Sequence, residues 1–498
     1  METIKQHSNR PNLVLVNPNA LWMEKRPWVQ IPLVVGYLTD ILKKNGIDFN
    51  YIDANLYNLS KKQLEDIIKE MSPSVALLSG LSTEYFLLYK ETLEVIKKGA
   101  PDCMTVYGGV CPTVLPDICA NLDACDFVFM GPAEYRLPDF LTTLFSGDTK
   151  KIKNTKGIAF KEKGKITITN KDNIFALPEA YPFAPDYSKL DCDGYFKTPI
   201  YSHYHYTSFT EPTATIITSF GCKYHCNFCA SKSVRKNFVT FRSVESVLEE
   251  IRFFYYQHNV RCFSILDELF LADKERVKKI LNATVREGMK FRWKQVNASI
   301  RHIDEELLSL MSQTGCEILF LYPESGSPRV LKEIIHKPHK LEMFPPVTEL
   351  CRKYNIFTSA NFIIGFPGET WEEIRQTFRF AEAADFDHVS FTIATPLPGT
   401  ALFEEVTSLG LLPDNFTFLN PEYTGFGEAL IETNEFSQLE LKILRAFEWD
   451  RINFPTEEKR EKIARFLNMT IEQLVAHRRK TRQNLGITFS KIAGGEKR

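Results

Sequence analysis

No stretch of this 498-residue chain comes near the ~18 to 20 consecutive apolar residues that cross a bilayer. A dominant charge is missing as well. Lysine and arginine total 61 against 62 aspartates and glutamates, and a net charge of −1 gives nucleic acid and anionic membranes no electrostatic footing. Residues Met1–Arg10 are polar and lack the apolar core of a secretion signal, so a cytoplasmic protein is expected. In that compartment eleven cysteines read as thiols or metal ligands rather than as a disulfide framework. Solenoid-type repeats and low-complexity tracts are also missing. What remains, 44% hydrophobic and 25% charged, has the composition of an ordinary globular protein and the length of two or three domains.

Residues 1–150 alternate short β runs (Leu13–Val16, Phe49–Ile52, Val75–Ser79, Met104–Tyr107, Phe127–Met130) with helical patterns (Leu33–Lys44, Lys61–Glu70, Phe86–Lys98, Pro112–Ala120). Such alternation predicts an α/β, Rossmann-like doubly wound domain. The runs end in Asn17-Pro18, Ser79-Gly80, Gly108-Gly109 and Gly131, and ligands of such sheets sit outside the carboxyl ends of the strands. A dinucleotide is disfavoured because GxGxxG does not follow the first run. Residues 151–210 read as a connector packed between domains. It carries a hairpin within the Lys-rich Lys151–Lys171 and three prolines in Leu177–Pro185. Its aromatic cluster Tyr201-Ser202-His203-Tyr204-His205-Tyr206 either packs at the joint or lines a substrate cavity.

From Thr213 six β–α units follow. Strands are expected at Thr213–Phe220, Cys262–Leu266, Trp293–Ile300, Glu317–Leu321, Thr358–Gly365 and His388–Thr395. Helices are expected at Val244–Tyr256, Lys274–Glu287, Asp304–Gln313, Pro328–Ile335, Glu342–Lys353 and Trp371–Ala384. This suits a partial (β/α)6 barrel over residues 211–410, with its chemistry at the carboxyl ends of the strands. Residues 411–498 read as a small mixed domain with a basic helical run (Lys459, Arg460, Arg478, Arg479, Lys480, Arg482), taken as a solvated face.

Eight cysteines are scattered: Cys103, Cys111, Cys119, Cys125, Cys192, Cys262, Cys316 and Cys351. They are expected in the core, as small hydrophobes. The other three lie on Gly221-Cys222-Lys223-Tyr224-His225-Cys226-Asn227-Phe228-Cys229, directly after the first run of the second half. Thiols spaced CxxxCxxC at a strand's carboxyl end suit three irons of a [4Fe–4S] cube, and with no fourth cysteine on the loop one iron stays open to a ligand. A structural zinc site would need four ligands, usually as paired CxxC motifs. His225 is expected to point away.

This spacing in this place resembles the radical S-adenosylmethionine superfamily, and the resemblance covers nearly the whole chain. It implies that Cys222, Cys226 and Cys229 hold the cluster and that S-adenosylmethionine binds the open iron through its amino and carboxylate groups. An external donor such as flavodoxin or ferredoxin then supplies the electron that breaks the C5′–S bond to give a 5′-deoxyadenosyl radical. Phe228 matches the aromatic position whose backbone faces the adenine. Asp267 and Glu268 resemble the acidic strand end that receives the amino group, or else cap the next helix. Glu324 and Ser325 open Glu324-Ser325-Gly326-Ser327, similar to the family's turn near the ribose, although Tyr322 and Pro323 precede it where a small residue is usual. Gly365 and Gly368 lie in Gly365-Phe366-Pro367-Gly368-Glu369-Thr370, which matches the family's Gly-x-Pro-Gly-Glu-Thr beside the adenine. Glu369 and Thr370 equally fit a helix start. Pro396-Leu397-Pro398-Gly399-Thr400 completes the pattern.

The N-terminal half resembles the cobalamin-binding branch of that superfamily through Asn17-Pro18, Pro32-Leu33, Gly36-Tyr37-Leu38, Gly108-Gly109 and Glu134. The resemblance implies cobalamin across Ser79, Ser82, Thr83, Gly108, Gly109, Thr113, Gly131 and Glu134. Cys111 stands where the family's Gly-Gly-x-His-x-Thr has histidine, and Pro132-Ala133 interrupts its Gly-Glu-Gly-Glu. The Asp-x-His-x-x-Gly signature is absent, so no histidine from that motif ligates cobalt from below. The alternative is a vestigial domain that only covers the active site. Methylthiotransferases would need a second cysteine triad spread through this domain, whereas Cys103–Cys125 crowd into its last third.

The implied activity is methylation of an unactivated carbon, or rarely a phosphorus, of a small natural-product intermediate. One S-adenosylmethionine would charge cobalamin with a methyl group and a second would supply the radical. Leu331–Pro338 and Glu448–Phe454 look like the branch that holds the fosfomycin-pathway methylase. A cobalamin-assisted cyclase or rearranging oxidoreductase without methyl transfer is the alternative. A cobalamin-binding regulator or light sensor would have no use for the triad. No catalytic acid or base is singled out.

Overall fold

The computed structural model describes residues 12–23, 30–80, 82–197, 211–236, 238–417 and 429–485. The aromatic cluster Tyr201–Tyr206 lies outside the described residues. The chain forms two compact units, Met1–Tyr201 with Ala230–Thr240, and Ser202–Cys229 with Phe241–Arg498.

In the first unit a seven-stranded sheet has the spatial order β2 (Asn50–Asp53), β1 (Leu13–Asn17), β3 (Val75–Gly80), β4 (Met104–Gly109), β5 (Phe127–Phe129), β6 (Ile158–Glu162) and β7 (Lys165–Ile168). β1 to β5 are parallel, and β6–β7 is an antiparallel hairpin that extends the sheet. Strand order reverses between β1 and β3, which opens a crevice at their carboxyl ends. β1 is buried over four consecutive residues, as a strand covered on both faces must be. Helix Leu33–Lys44 sets Val35, Leu38 and Leu42 on the same core as Leu13, Leu15, Val75 and Leu77.

Two features differ from expectation. The helix expected over Pro112–Ala120 divides at Leu115 into Val110–Val114 and Pro116–Ala120, because Pro116 has no N–H to donate backwards and starts a new first turn. Residues 151–197, expected as a connector, are built into this unit. Their hairpin continues the sheet, Asp186 N–H donates to Gly36 O at 3.0 Å, and Tyr195 of helix Cys192–Lys197 reaches Asp53 at 2.6 Å.

The second unit is an open parallel sheet of six strands among the described residues: Thr213–Ile216, Cys262–Ile265, Arg292–Ala298, Cys316–Glu324, Phe357–Ile364 and His388–Ile393. Each pairs with its neighbour in the chain, so the first and sixth are edges and the barrel is partial. Helices Gln438–Asn453, Glu457–Phe466 and Ile471–Asn484 belong to this unit. Phe466 stacks on Phe357 with ring centroids 4.5 Å apart and lies against His388. Asn453 is fully buried; its side-chain amide accepts from Val389 N–H and donates to Val389 O, both at 2.9 Å. Arg445 donates to Phe391 O of the same strand at 2.7 Å. The basic run is not wholly solvated: Arg478 lies 4.2 Å from the Trp449 ring and donates to Asp450 at 2.6 Å, while Arg479 and Lys480 are exposed.

Candidate functional site

The loop Gly221–Cys229 follows the short strand Ser219–Phe220, just beyond the carboxyl end of the first strand of the second unit. Gly221 turns with φ +87°, and its N–H donates to Glu268 Oε2. Asn227 is buried and held from both sides, donating through its N–H to Ile335 O and accepting at its carbonyl from Leu402 N–H, each at 3.0 Å. The loop is thus anchored by backbone, which leaves Cys222, Cys226 and Cys229 half-buried while the eight other cysteines are buried, as expected. Burial pushes the Cys222 thiol up to about 11 and the Cys226 thiol up to about 12, so thiolates there at neutral pH require a metal's charge. Among the described residues no three His, Cys, Asp or Glu side chains converge on a single ion. The loop thiols nonetheless lie within electrostatic reach of one another. A cube that offers each thiolate its own iron fits this donor set.

Asp267 and Glu268 do different things. Asp267 is fully buried. Its Oδ1 accepts from Thr218 N–H at 2.6 Å, and Oδ2 accepts from the hydroxyls of Thr218 and Ser219, both at 2.5 Å. Arg276 completes the assembly, donating to Thr218 Oγ1 at 3.1 Å and to Thr218 O at 2.7 Å. With both oxygens taken, Asp267 props the strand ends from within rather than facing a ligand. The next helix is capped instead by Asp273, which accepts from Arg276 N–H at 3.0 Å. Glu268 holds the cysteine loop through Gly221.

Glu324 ends the fourth strand in the left-handed region, φ +66°, and is 3% exposed. Its Oε1 accepts from Lys337 Nζ at 2.7 Å, and Oε2 has no partner among the described residues. Burial works against the Lys337 ammonium, but Glu324 and the thiols of Cys226 and Cys229 outweigh it and raise its pKa. Ser325 is buried and internal to the turn: its hydroxyl lies 3.2 Å from Thr377 Oγ1 and accepts from Ser327 N–H at 3.1 Å. Gly365 and Gly368 have φ of +86° and +74°, so the backbone alone selects glycine there. Glu369 Oε2 accepts from Gly365 N–H at 2.7 Å and Phe366 N–H at 3.1 Å, and burial pushes its carboxyl up to about 8. Thr370 and Glu373 form a capping box at the start of helix Trp371–Ala383. Glu373 also accepts from Arg329 Nε and Nη2, both at 2.7 Å, and from Ser327 Oγ at 3.1 Å, joining this turn to the fourth-strand turn. Those donors, Arg329 first, hold its carboxyl down at about 2. The Phe228 ring centroid is 6.0 Å from that of Phe366, within a cluster that includes Val330 and Ile335.

In the first unit, Ser79, Ser82, Thr83, Gly108, Gly109, Thr113, Gly131 and Glu134 lie at or just beyond the carboxyl ends of β3, β4 and β5. Several hold the protein to itself. Ser82 caps the turn Thr83–Tyr85, in which Thr83 is buried. Thr113 Oγ1 donates to Gly109 O at 2.6 Å and accepts from Gly131 N–H at 2.9 Å. Glu134, buried, accepts from the Tyr181 hydroxyl at 2.9 Å and from Arg235 at 3.1 Å. Gly109 has φ +100°, and a Cβ there would fall 2.5 Å from Gly80 O, so β3 and β4 themselves require this glycine. At Gly108 the nearest atom to such a Cβ is Phe129 O at 3.5 Å, ordinary contact. Gly108 and the half-buried Ser79 thus leave a small-residue cradle at the sheet's carboxyl edge, which fits a bulky, largely neutral ligand. Tyr181, Tyr195, Arg235, Arg276 and Lys337 were not reachable from local patterns, since each acts on a residue distant in the chain.

Residues 216–381 match the radical SAM superfamily model and residues 24–141 match the B12 binding domain. The chain is 28% identical to an uncharacterized methyltransferase of Pyrococcus horikoshii, over 76% of this chain and 79% of that protein. It is 27% identical to the cytidylyl-2-hydroxyethylphosphonate methyltransferase of Streptomyces wedmorensis, over 82% and 83%. It is 24% identical to the anaerobic magnesium-protoporphyrin IX monomethyl ester cyclase of Rubrivivax gelatinosus, over 75% and 66%. The structure of the radical S-adenosylmethionine methyltransferase TsrM from Kitasatospora setae, with cobalamin and [4Fe–4S] cluster bound, superposes with a TM-score of 0.74 over 95% of this chain and 99% of that one. At 18% identity this is a likeness of fold.

Proposed function

We propose that this chain, a radical SAM enzyme with an N-terminal B12-binding domain, is a cobalamin-dependent methyltransferase acting on an unactivated carbon, or a phosphorus, of a small natural-product intermediate. The observation that carries the reading is one chain holding both a three-thiol loop at the end of a partial barrel's first strand and a small-residue cradle at the edge of a doubly wound sheet. When bound, the cluster with S-adenosylmethionine supplies a carbon radical and cobalamin supplies a carrier for the methyl group. Cys222, Cys226 and Cys229 hold three irons and leave the fourth for the sulfonium ligand. Phe228 with Phe366 gives the adenine an apolar wall, and Glu324 Oε2 is available to a hydroxyl or ammonium. Ser79, Gly108 and Gly131 border the cobalamin face of the first unit.

A flavodoxin- or ferredoxin-type donor delivers the electron, and the enzyme works in the cytoplasm. Among the described residues no helix is long and apolar enough to cross a membrane. The similarity to a cyclase keeps one second reading in play, ring formation without methyl transfer. Turnover with methyl-labelled S-adenosylmethionine separates the two once a substrate-free control is subtracted. The methylase forms S-adenosylhomocysteine and 5′-deoxyadenosine in equal amounts, tracking a product heavier by one methyl group. Deoxyadenosine without substrate-dependent S-adenosylhomocysteine overturns it in favour of the cyclase.

A further inference from the structure

The stretch Leu331–Pro338 has a physical role that its resemblance to one branch of the family does not explain. Val330–Ile335 winds as a π-helix and stops at His336, a non-glycine residue with φ +60°. That wide turn and left-handed stop direct Lys337 inward. Its N–H donates to Leu331 O at 2.8 Å and its ammonium to Glu324 Oε1 at 2.7 Å. The side chains are 18% and 4% exposed. The same segment grips the cysteine loop, because Ile335 O accepts the N–H of Asn227, the residue after Cys226. A carboxylate is therefore buried within electrostatic reach of Cys226, with the Lys337 ammonium beside it and its second oxygen unpartnered among the described residues.

A cluster on three thiolates carries net negative charge and gains another on reduction. Burying Glu324 beside it is costly without a counter-charge. We infer that Lys337 is a charge-compensating residue that offsets Glu324 and the incoming electron, and so sets the reduction potential of the cluster. The inference rests on the cluster reading of Cys222, Cys226 and Cys229. Its sign is fixed by Coulomb's law: an electron enters more readily beside a cation and less readily beside an anion. Lys337→Met therefore lowers the potential, Glu324→Gln raises it, and the double variant returns towards the parent. A side chain that merely packs would not give shifts of opposite sign that cancel.

The test is a redox titration of the reconstituted full-length chain, followed by the spin resonance of the reduced cluster, with iron and sulfide counted in every sample. At a fixed poise the reduced fraction is expected to fall several-fold in K337M, to rise several-fold in E324Q and to stay near the parent in K337R. A tenfold change in the reduced-to-oxidised ratio corresponds to ~59 mV for a one-electron couple. If K337M fails to hold its cluster, E324Q decides: a rise at full iron content supports the inference, and no rise overturns it. Unchanged potentials in K337M and E324Q at full loading overturn it and leave the cluster reading intact. A parent chain that takes up no four-iron cluster overturns that reading and the inference together.

Discussion

Replacing Glu373 by glutamine removes one charge from the junction between the turn Glu324–Ser327 and the loop Gly365–Thr370 while keeping the side chain's size. Glu373 is 8% exposed and receives two bonds from Arg329, one from Ser327 and those of Thr370 in the capping box. Holding its carboxyl at about 2, against an ordinary 4.5, corresponds to about 3 kcal/mol of native-state stability at neutral pH. Arg329 is partly in solvent, at 42% exposure, which reduces the expectation to about 2 kcal/mol. Because the folded-state pKa is depressed, the contribution is complete above pH 4.5 and is lost as pH falls towards 2. Urea denaturation of the parent and E373Q, followed by tryptophan fluorescence at pH 7 and pH 3, reads this as a midpoint shift at constant slope. The variant is expected to be weaker by about 2 kcal/mol at pH 7 and by less than half of that at pH 3. An equal deficit at both values, or none at pH 7, would refute the assignment of Glu373 as a charged pin.

Two further outcomes follow from the site. In the native iron-free chain at alkaline pH, Cys222, Cys226 and Cys229 should be the first of the eleven cysteines to react with a bulky thiol reagent, since they alone are half-exposed, and reconstitution should silence them; equally fast reaction of the other eight would contradict the burial. Asp267→Ala leaves the Thr218 N–H and two hydroxyls without their acceptor and removes a buried counter-charge from Arg276, so a loss of about 3 to 5 kcal/mol is expected by denaturation, and a fully stable variant would show that Asp267 is not a prop.

Parts of this arrangement were legible in the chain and parts were not. Helix Leu33–Lys44 has the expected bounds because its apolar spacing, the preceding Pro32 and the following Asn45-Gly46 all act locally. The half-buried cysteine loop was legible for the same reason, as its three thiols and the strand before them lie close together in sequence. Asp267 shows the limit. A carboxylate at a strand end reads alike whether it faces a ligand or accepts bonds from beneath, and its partners Thr218 and Ser219 come from another strand end. Gly109 was expected for close approach to a cofactor, whereas Gly80 O is what approaches it. Lys337 depends on a π-helix and a left-handed histidine, for which side-chain periodicity carries no mark. The hairpin after residue 151 was expected, but its pairing with β5 was not, because a hairpin is local and its sheet partner is not.

Among the described residues the sixth strand of the barrel, His388–Ile393, is an edge, and a row of free N–H and C=O groups is a template on which a foreign strand can add. Asn453 occupies Val389 on both counts, as a neighbouring peptide would, and Arg445 occupies Phe391 O. One helix thereby presents two side chains as a counterfeit seventh strand. The barrel can stay open on that flank without inviting self-association, and the flank depends on single residues rather than on a backbone. Damage at Asn453 would accordingly surface first as a chain that polymerises or is lost during preparation.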